Sequence, residues 1–480
     1  MTERANGMLE EAIHEGDLYA WGGTRSLRSR LGFGWWYYFM RTTYTLRGGE
    51  FMNSRSARVW GNALLLLCFS IGAASFAATP VNTFGFPETW HRIAIFADSL
   101  PYDMTDAQIR FAATHYVGTQ KLPLSLTRKL RVVNPKFNVI HYHLAIWQSN
   151  PKVSFIIDGE HWGNDYSFVS KHRDWFWLNV QGHRVQSSDD GKDLMNISNP
   201  DFQKYWISSL IQQMKDGRYQ GVFLDSASVD LLQGWCGKAD PRLAGTAAYN
   251  HPFKELGGKT WSQAYEAFMS HVSDSLEKAG YVAIPNLGNL YTGWDKTDYY
   301  DTSSGAFLES AFMTHSPSDW RMGADRLLRI TSQNKITLLQ PYLDREDDAK
   351  QRIYYIACYL LFKGRHTYID YFGGGHRQEI LSWYPEYDLD LGAPLGTISN
   401  LSQISTPEGI YIRRYDKGLA IVNPTDDPVN VSFPTTYWNV TPYGGGPVPA
   451  NGEPSGSMLY QPVSHLTLPP WSGAVLKYKK

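Results

Sequence analysis

Cysteine is scarce in this chain: Cys68, Cys236 and Cys358 are the three in 480 residues. So few exclude a disulfide framework and any cysteine-rich metal module, and Cys236 and Cys358 are expected to be free rather than bridged. Net charge is equally thin, because 45 Lys and Arg face 46 Asp and Glu, a formal balance of -1. Nothing in that balance attracts nucleic acid or an anionic membrane surface, and no nucleic-acid partner is expected. Internal repeats and low-complexity tracts are missing. So is a Gly-x-Ser-x-Gly elbow at a strand-to-helix turn, which removes the commonest serine hydrolase arrangement. Gly373-Gly374-Gly375-His376 lacks the Lys-Ser/Thr ending of a phosphate loop and reads as a loop that shapes a pocket.

Aromatic residues, by contrast, are plentiful. They make up 14% of the chain, with 17 Trp and 30 Tyr, and flat apolar rings with a polar edge suit sugar faces as well as cores. With 43% hydrophobic residues the chain is long enough for a large core and more than one domain. The one long apolar run lies near the front. Arg55 and Arg58 precede an apolar stretch from Val59 to Ile71, followed by Ser75-Phe76-Ala77, the three parts of a secretory signal peptide in order. Residues 52–77 are therefore read as a signal peptide starting at Met52, and residues 1–51 as an overextended reading frame or a disordered segment. The run 59–78 is also just long enough to span a bilayer, so a membrane anchor is the alternative. Either way the bulk of the chain is expected outside the cytoplasm, secreted or periplasmic.

From about Trp90, short β-branched or aromatic runs alternate with longer helical patterns, the rhythm of βα units and a parallel sheet. The runs start at Arg92, Tyr116, Asn138, Gly221, Tyr281, Ala306, Ile336 and Thr367. Eight of them predict a (β/α)8 TIM barrel over 86–395, with helices opening near Thr105, Asn199, Lys259 and Asp348. After Pro394 the helical period disappears and short alternating runs are separated by Pro, Gly and Asn turns. Residues 396–480 are predicted to form a small C-terminal antiparallel β-sandwich packed on the barrel.

Two of the eight runs share a pattern. Gly221-Val222-Phe223-Leu224-Asp225-Ser226 and Gly305-Ala306-Phe307-Leu308-Glu309-Ser310 are apolar strands that end abruptly in an acid. Catalytic groups of a barrel project from the carboxyl ends of its strands, and two carboxyls flanking a bond are the usual apparatus for cleaving a glycosidic linkage. Asp225 is read as nucleophile or base and Glu309 as general acid, the order being open. The predicted activity is that of an exported glycoside hydrolase acting on a polysaccharide or oligosaccharide, without metal or organic cofactor. A non-catalytic carbohydrate-binding protein on the same scaffold is the alternative.

Other polar residues occupy strand ends and are candidates for holding sugar hydroxyls: Asp98, Asn286, Gln340, Tyr342 and Asp370. The pair His141 and His143, two apart on one strand, point to one side and can bind a metal, so a metal-dependent deacetylase or amidohydrolase is a third reading. The preferred role is that one of them lines the sugar site. In the long insert after the third strand, Glu160 is the reserve acid and Trp162 a candidate sugar platform.

These residues together resemble a known family. Asn196-Ile197-Ser198-Asn199-Pro200 leading through Tyr205-Trp206 to Gly221–Asp225, then Phe307-Leu308-Glu309, Trp383-Tyr384-Pro385-Glu386-Tyr387, Leu391-Gly392-Ala393-Pro394, Tyr411–Arg414 and Val422-Asn423-Pro424 are similar to hypothetical glycosyl hydrolase family fifteen. The resemblance implies a barrel fold and a catalytic pair at Asp225 and Glu309. A departure is Gln220 before Gly221, where related barrels often have Asp, and it bears on packing more than on chemistry.

Overall fold

The computed structural model describes residues 85–149, 156–157, 160–161, 163–188, 191–227, 240–243, 251–291, 302–373 and 380–480, with backbone alone for 156–157 and 160–161. The expected leader or anchor at 52–78, the segment before it, Cys68, Cys236 and Trp162 lie outside the described residues, as does the side chain of Glu160. Among the described residues no helix is long and apolar enough to cross a membrane. Cys358 is free and buried.

Eight strands form one parallel sheet: β1 Ile95–Ala97, β2 Tyr116–Gln120, β3 Asn138–Leu144, β4 Gly221–Asp225, β5 Val282–Pro285, β6 Gly305–Glu309, β7 Ile336–Gln340 and β8 Thr367–Ile369. Each pairs with the next in chain order, β8 pairs back to β1, and the β5 and β6 edges meet through a parallel bridge between Asn286 and Phe307. The Leu287 N–H donates to the Phe307 carbonyl at 2.8 Å across that seam. The sheet thus returns on itself, and alternate residues of each strand face the enclosed side.

Helices fill the connections: α1 Asp106–His115, α3 Pro200–Gly217, α4 Trp261–Lys278 and α6 Ala349–Phe362 where caps and periodicity placed them, with α2 Leu124–Val133 and α5 Pro317–Ser332 in addition. Thr105 with Gln108 and Thr260 with Gln263 make capping boxes at α1 and α4, while Asn199 and Ser316 each cap a helix whose first residue is Pro. Each cap supplies acceptors to amide groups that a helix leaves unpaired. Gln220, the departure from the family pattern, ties strands together: its Oε1 accepts from the Val139 N–H at 2.8 Å and from Arg131 at 2.9 Å.

Glycine opens both acid-bearing strands for a steric reason. A Cβ on Gly221 would lie 2.3 Å from the Val282 carbonyl oxygen, and one on Gly305 2.2 Å from that of Ile336. Immediately after the acids, Ser226 and Ser310 both take left-handed backbone, φ 55° and 58°. That conformation costs a non-glycine residue about 1–2 kcal/mol and survives only where the surroundings dictate it.

The C-terminal region differs from its expected form. Strands β9 Tyr411–Tyr415, β10 Gly418–Asn423, β11 Val429–Tyr443, β12 Ser457–Leu468 and β13 Ser472–Lys477 form one antiparallel sheet in the order β9-β10-β13-β11-β12. The antiparallel β-domain is there, but its strands share a single sheet. The register of β11 against β12 shifts between Ser432 and Tyr437, and such a bulge bends a hairpin. Residues from both halves of that hairpin share one core with Ile410, Leu419, Ile421 and Leu476.

Helix α6 carries the joint between barrel and sheet, buried along nearly its whole length. Its last carbonyls are capped from β9: the Arg413 guanidinium donates to the carbonyls of Leu361 and Lys363 at 3.0 and 2.7 Å, and the Tyr415 hydroxyl to that of Leu360 at 2.6 Å. At its other end the Arg352 Nε lies 3.0 Å from Glu386 Oε1, with both side chains almost fully buried. Arg352 also donates to the carbonyls of Glu346 and Gly444, so one guanidinium joins α6, the 383–387 segment and the turn after β11. The Trp383–Tyr387 motif therefore seals the barrel against the sheet, its Ser382 and Trp383 pairing with Pro447 and Gly446. Replacing one partner of such a pair strands a buried charge, at a cost of about 3–5 kcal/mol. Arg352→Met is expected to lower unfolding stability by about that amount in a urea titration, and adding Glu386→Leu in the same chain to recover part of it.

Candidate active site

Period two along a strand decides what reaches the mouth of the barrel. On β4, Phe223 and Asp225 share one face, and on β6, Phe307 and Glu309 do. The two phenylalanines meet edge to face at 4.8 Å although β5 separates their strands, which identifies that face as the enclosed one. They form a floor, with one carboxyl group above each. Tyr142 of β3 stacks on Phe223 at 5.8 Å and completes the same layer.

The carboxyls are held by different donors. Asp225 Oδ2 accepts from the Tyr142 hydroxyl at 2.6 Å, and Oδ1 accepts from the Ser226 N–H at 2.8 Å and the Asn286 amide at 3.0 Å. Three donors thus converge on one carboxyl group. Glu309 Oε2 accepts from the same Asn286 nitrogen at 2.8 Å, and Oε1 from the Tyr342 hydroxyl. Burial, and then the charge of Asp225, raise the Glu309 pKa, while Tyr342, Asn286 and Lys121 pull it the other way. The two acids are thus held unequally, one by three fixed donors and the other biased by burial toward its protonated form, and general acid work requires that kind of inequality.

A cation stands beside them. Lys121 follows β2 in left-handed backbone, φ 53°, and its ammonium donates to both oxygens of Asp98 at 3.1 and 2.9 Å. Burial works against its charge, but Asp98, Asp225 and Glu309 together outweigh burial and raise its pKa. The same ammonium lies 5.3 Å from the Tyr142 ring centre and 5.6 Å from that of Phe223, over the floor of the site.

A family model described as hypothetical glycosyl hydrolase family 15 matches residues 131–419, more than half of the chain. The chain belongs to that family. No curated protein matches the sequence. Among solved structures, this family member is similar to an alpha-amylase from Geobacillus thermoleovorans complexed with acarbose, at 10% identity and a TM-score of 0.39 over 82% of this chain and 100% of that one. A noncanonic maltogenic alpha-amylase from Thermotoga neapolitana gives 12% identity and 0.39, over 82% and 99%. A cycloalternan-degrading enzyme from Trueperella pyogenes gives 9% and 0.42, over 82% and 62%.

Of the residues singled out in this chain's sequence, Asp225, Glu309, Asn286 and Tyr342 form one hydrogen-bonded group, and Asp98 binds Lys121, whose charge acts on Asp225 and Glu309. Gln340 is the register partner of Glu309 on β7 and is buried. Asp370 stands apart with Asp98 along a cleft that Tyr371, Phe372 and Ser382 also line. Its carboxyl accepts from the Tyr387 hydroxyl at 3.2 Å, and burial, with the charge of Asp98, raises its pKa well above the usual range.

His141 and His143 require a correction. They do share one side of β3, but it is the helix side, and Tyr142 between them takes the enclosed one. His141 Nε2 bonds Gln213 of α3 at 2.8 Å and its ring stacks on Tyr219, while His143 meets Trp206 of α3 edge to face at 4.9 Å. Neither lines the site. Among the described residues no three His, Cys, Asp or Glu side chains converge as a metal ligand set. The residues that sequence reasoning missed are Tyr142, visible as the odd member of His-Tyr-His, and Lys121, which the strand-end rule finds once it is applied to β2.

Burial depresses both histidines, His141 to about 3 and His143 to about 4. Both are therefore neutral in the fold at pH values where the unfolded chain, with His near 6.5, takes up protons. Their stabilising contribution is complete above pH 6.5 and shrinks as pH falls toward about 4 and then about 3. Urea unfolding across pH 7 to 4 is expected to show a shallower loss of stability in His141→Gln/His143→Gln than in the parent protein.

Proposed function

We propose that this protein is an exported glycoside hydrolase that cleaves O-glycosidic bonds of a polysaccharide, with Asp225 as the nucleophilic carboxylate and Glu309 as the general acid. The observation that carries the reading is the unequal pair at the barrel mouth. Asp225 accepts three hydrogen bonds, and Glu309, partly buried beside it, is biased toward its protonated form. An oxocarbenium-like transition state needs both at once: negative charge facing the developing positive carbon, and a proton at the departing oxygen. Membership of a family described as hypothetical glycosyl hydrolases supports the hydrolase reading.

Tyr142 and Lys121 add to it. A phenol donates to Asp225, and the ammonium near both acids is itself engaged by Asp98. The floor of Phe223 and Phe307 gives the acids an apolar underside, which strengthens every charge interaction above it. Export rests on the order of basic, apolar and small residues between Arg55 and Ala77.

The test is a screen of the purified protein against plant, microbial and exopolysaccharide glycans, read as newly formed reducing ends. The parent protein is expected to release them, Glu309→Gln to be slower by roughly 10²–10⁴-fold on unactivated linkages, and Asp225→Asn to lose at least as much. Full turnover by both variants overturns the assignment. A glycan that binds but is never cut identifies a carbohydrate-binding protein instead.

A further inference from the structure

Asn286, at the carboxyl end of β5, reads in the sequence as a residue for sugar hydroxyls. Its amide is already committed. A primary amide has two N–H donors, and Nδ2 donates to Asp225 Oδ1 at 3.0 Å and to Glu309 Oε2 at 2.8 Å, while Oδ1 accepts the Gly288 N–H at 3.1 Å. The side chain is buried and its backbone N–H continues the ladder to the Leu224 carbonyl at 2.8 Å, so the amide sits on rigid strand. Both donors point at the acids, and neither remains for substrate.

This sets a limit on geometry. The near oxygens of the two carboxyls, Asp225 Oδ1 and Glu309 Oε2, share one nitrogen and so are no further apart than the two bonds laid end to end, about 5.8 Å. Enzymes that invert the anomeric centre keep their carboxyls roughly 6.5–9.5 Å apart to admit a water, and those that retain it about 5–5.5 Å apart. We infer that Asn286 is a positioning residue that clamps Asp225 and Glu309 at the retaining distance, so that hydrolysis runs through a glycosyl ester on Asp225. The inference rests on the hydrolase reading above.

The steps balance. An Asp225 oxygen supplies the electron pair that bonds the anomeric carbon; the bond from that carbon to the departing oxygen breaks, and the departing oxygen takes the Glu309 proton. Esterified Asp225 no longer carries charge, so Glu309 is now the ionised member of the pair. It takes a proton from a water that attacks the same carbon, and the ester bond returns its electron pair to Asp225. An amide in the clamp serves both halves of the cycle, because a neutral donor binds whichever carboxyl is charged. A carboxylate in its place would repel both.

The experiment uses the full chain and the 4-methylumbelliferyl glycosides of glucose, galactose, N-acetylglucosamine and N-acetylgalactosamine, each in both anomeric forms. Proton NMR of the first sugar released is expected to show the anomer of the substrate, and the opposite anomer overturns the inference while leaving the hydrolase reading intact. Asn286→Ala is expected to lower kcat about 10²-fold with little change in KM, as misplacing reacting groups does. Asn286→Asp, the same size, is expected to work only at acid pH, where its protonated carboxyl donates one bond. Parent-like kcat in the first variant or a parent-like pH profile in the second also overturns it, since a purely structural Asn moves neither. A third measurement needs no turnover: in protein labelled with carbon-13 at glutamate carboxyls, the Glu309 titration midpoint must rise in Asn286→Ala, because a donor to its charged form is gone. An unchanged midpoint ends the proposal even if none of these glycosides is cut.

Discussion

Two like charges brought within reach of one amide are the constraint around which this site is organised. At about 5.8 Å and an effective dielectric near 20, two full negative charges repel by about 3 kcal/mol. A hydrogen bond to a charged group returns roughly 1.5–3 kcal/mol. The two bonds that Asn286 donates, one to each carboxyl, offset that repulsion, and a proton kept on one member of the pair removes it. Which member keeps the proton follows from the surroundings. Asp225 collects a phenol, a backbone amide and the Asn286 nitrogen; Glu309 has a phenol and the same nitrogen but no backbone amide, and burial and its neighbour's charge outweigh them.

The scaffold earns its relevance by making this arrangement stiff. Each acid ends a strand whose glycine admits a close neighbouring backbone, and each is followed by a serine in left-handed conformation. The chain thus turns away at once, and the acid is left at the rim. Beneath the pair, Phe223 and Phe307 lock β4 against β6 across the interior. Around the outside, α6 is clamped at one end by the buried Arg352–Glu386 pair and at the other by Arg413 and Tyr415, which ties the C-terminal sheet to the barrel wall.

Much of this was legible before any coordinates. All eight barrel strands overlap β-branched or aromatic runs read from the sequence, because a strand buried on both faces is predominantly apolar. Asp225 and Glu309 were legible for the same reason: a carboxyl closing such a run has nowhere to go but the rim. The C-terminal sandwich was harder to read. Alternating short runs specify antiparallel strands, but whether they make two sheets or one bent sheet depends on a bulge between Ser432 and Tyr437 that no local pattern announces.

The sequence by itself determined the periods, the caps and the strand ends, and hence a ring of βα units with two acids at its mouth, since these depend only on residues near one another in the chain. Tertiary structure decided which side of each strand faced inward and what met there. Alternation says that His141 and His143 lie opposite Tyr142, but only closure of the sheet says that Tyr142 is the one inside. In the same way, three strands distant in sequence had to come into register before the Asn286 amide turned from a sugar-binding candidate into the link between Asp225 and Glu309.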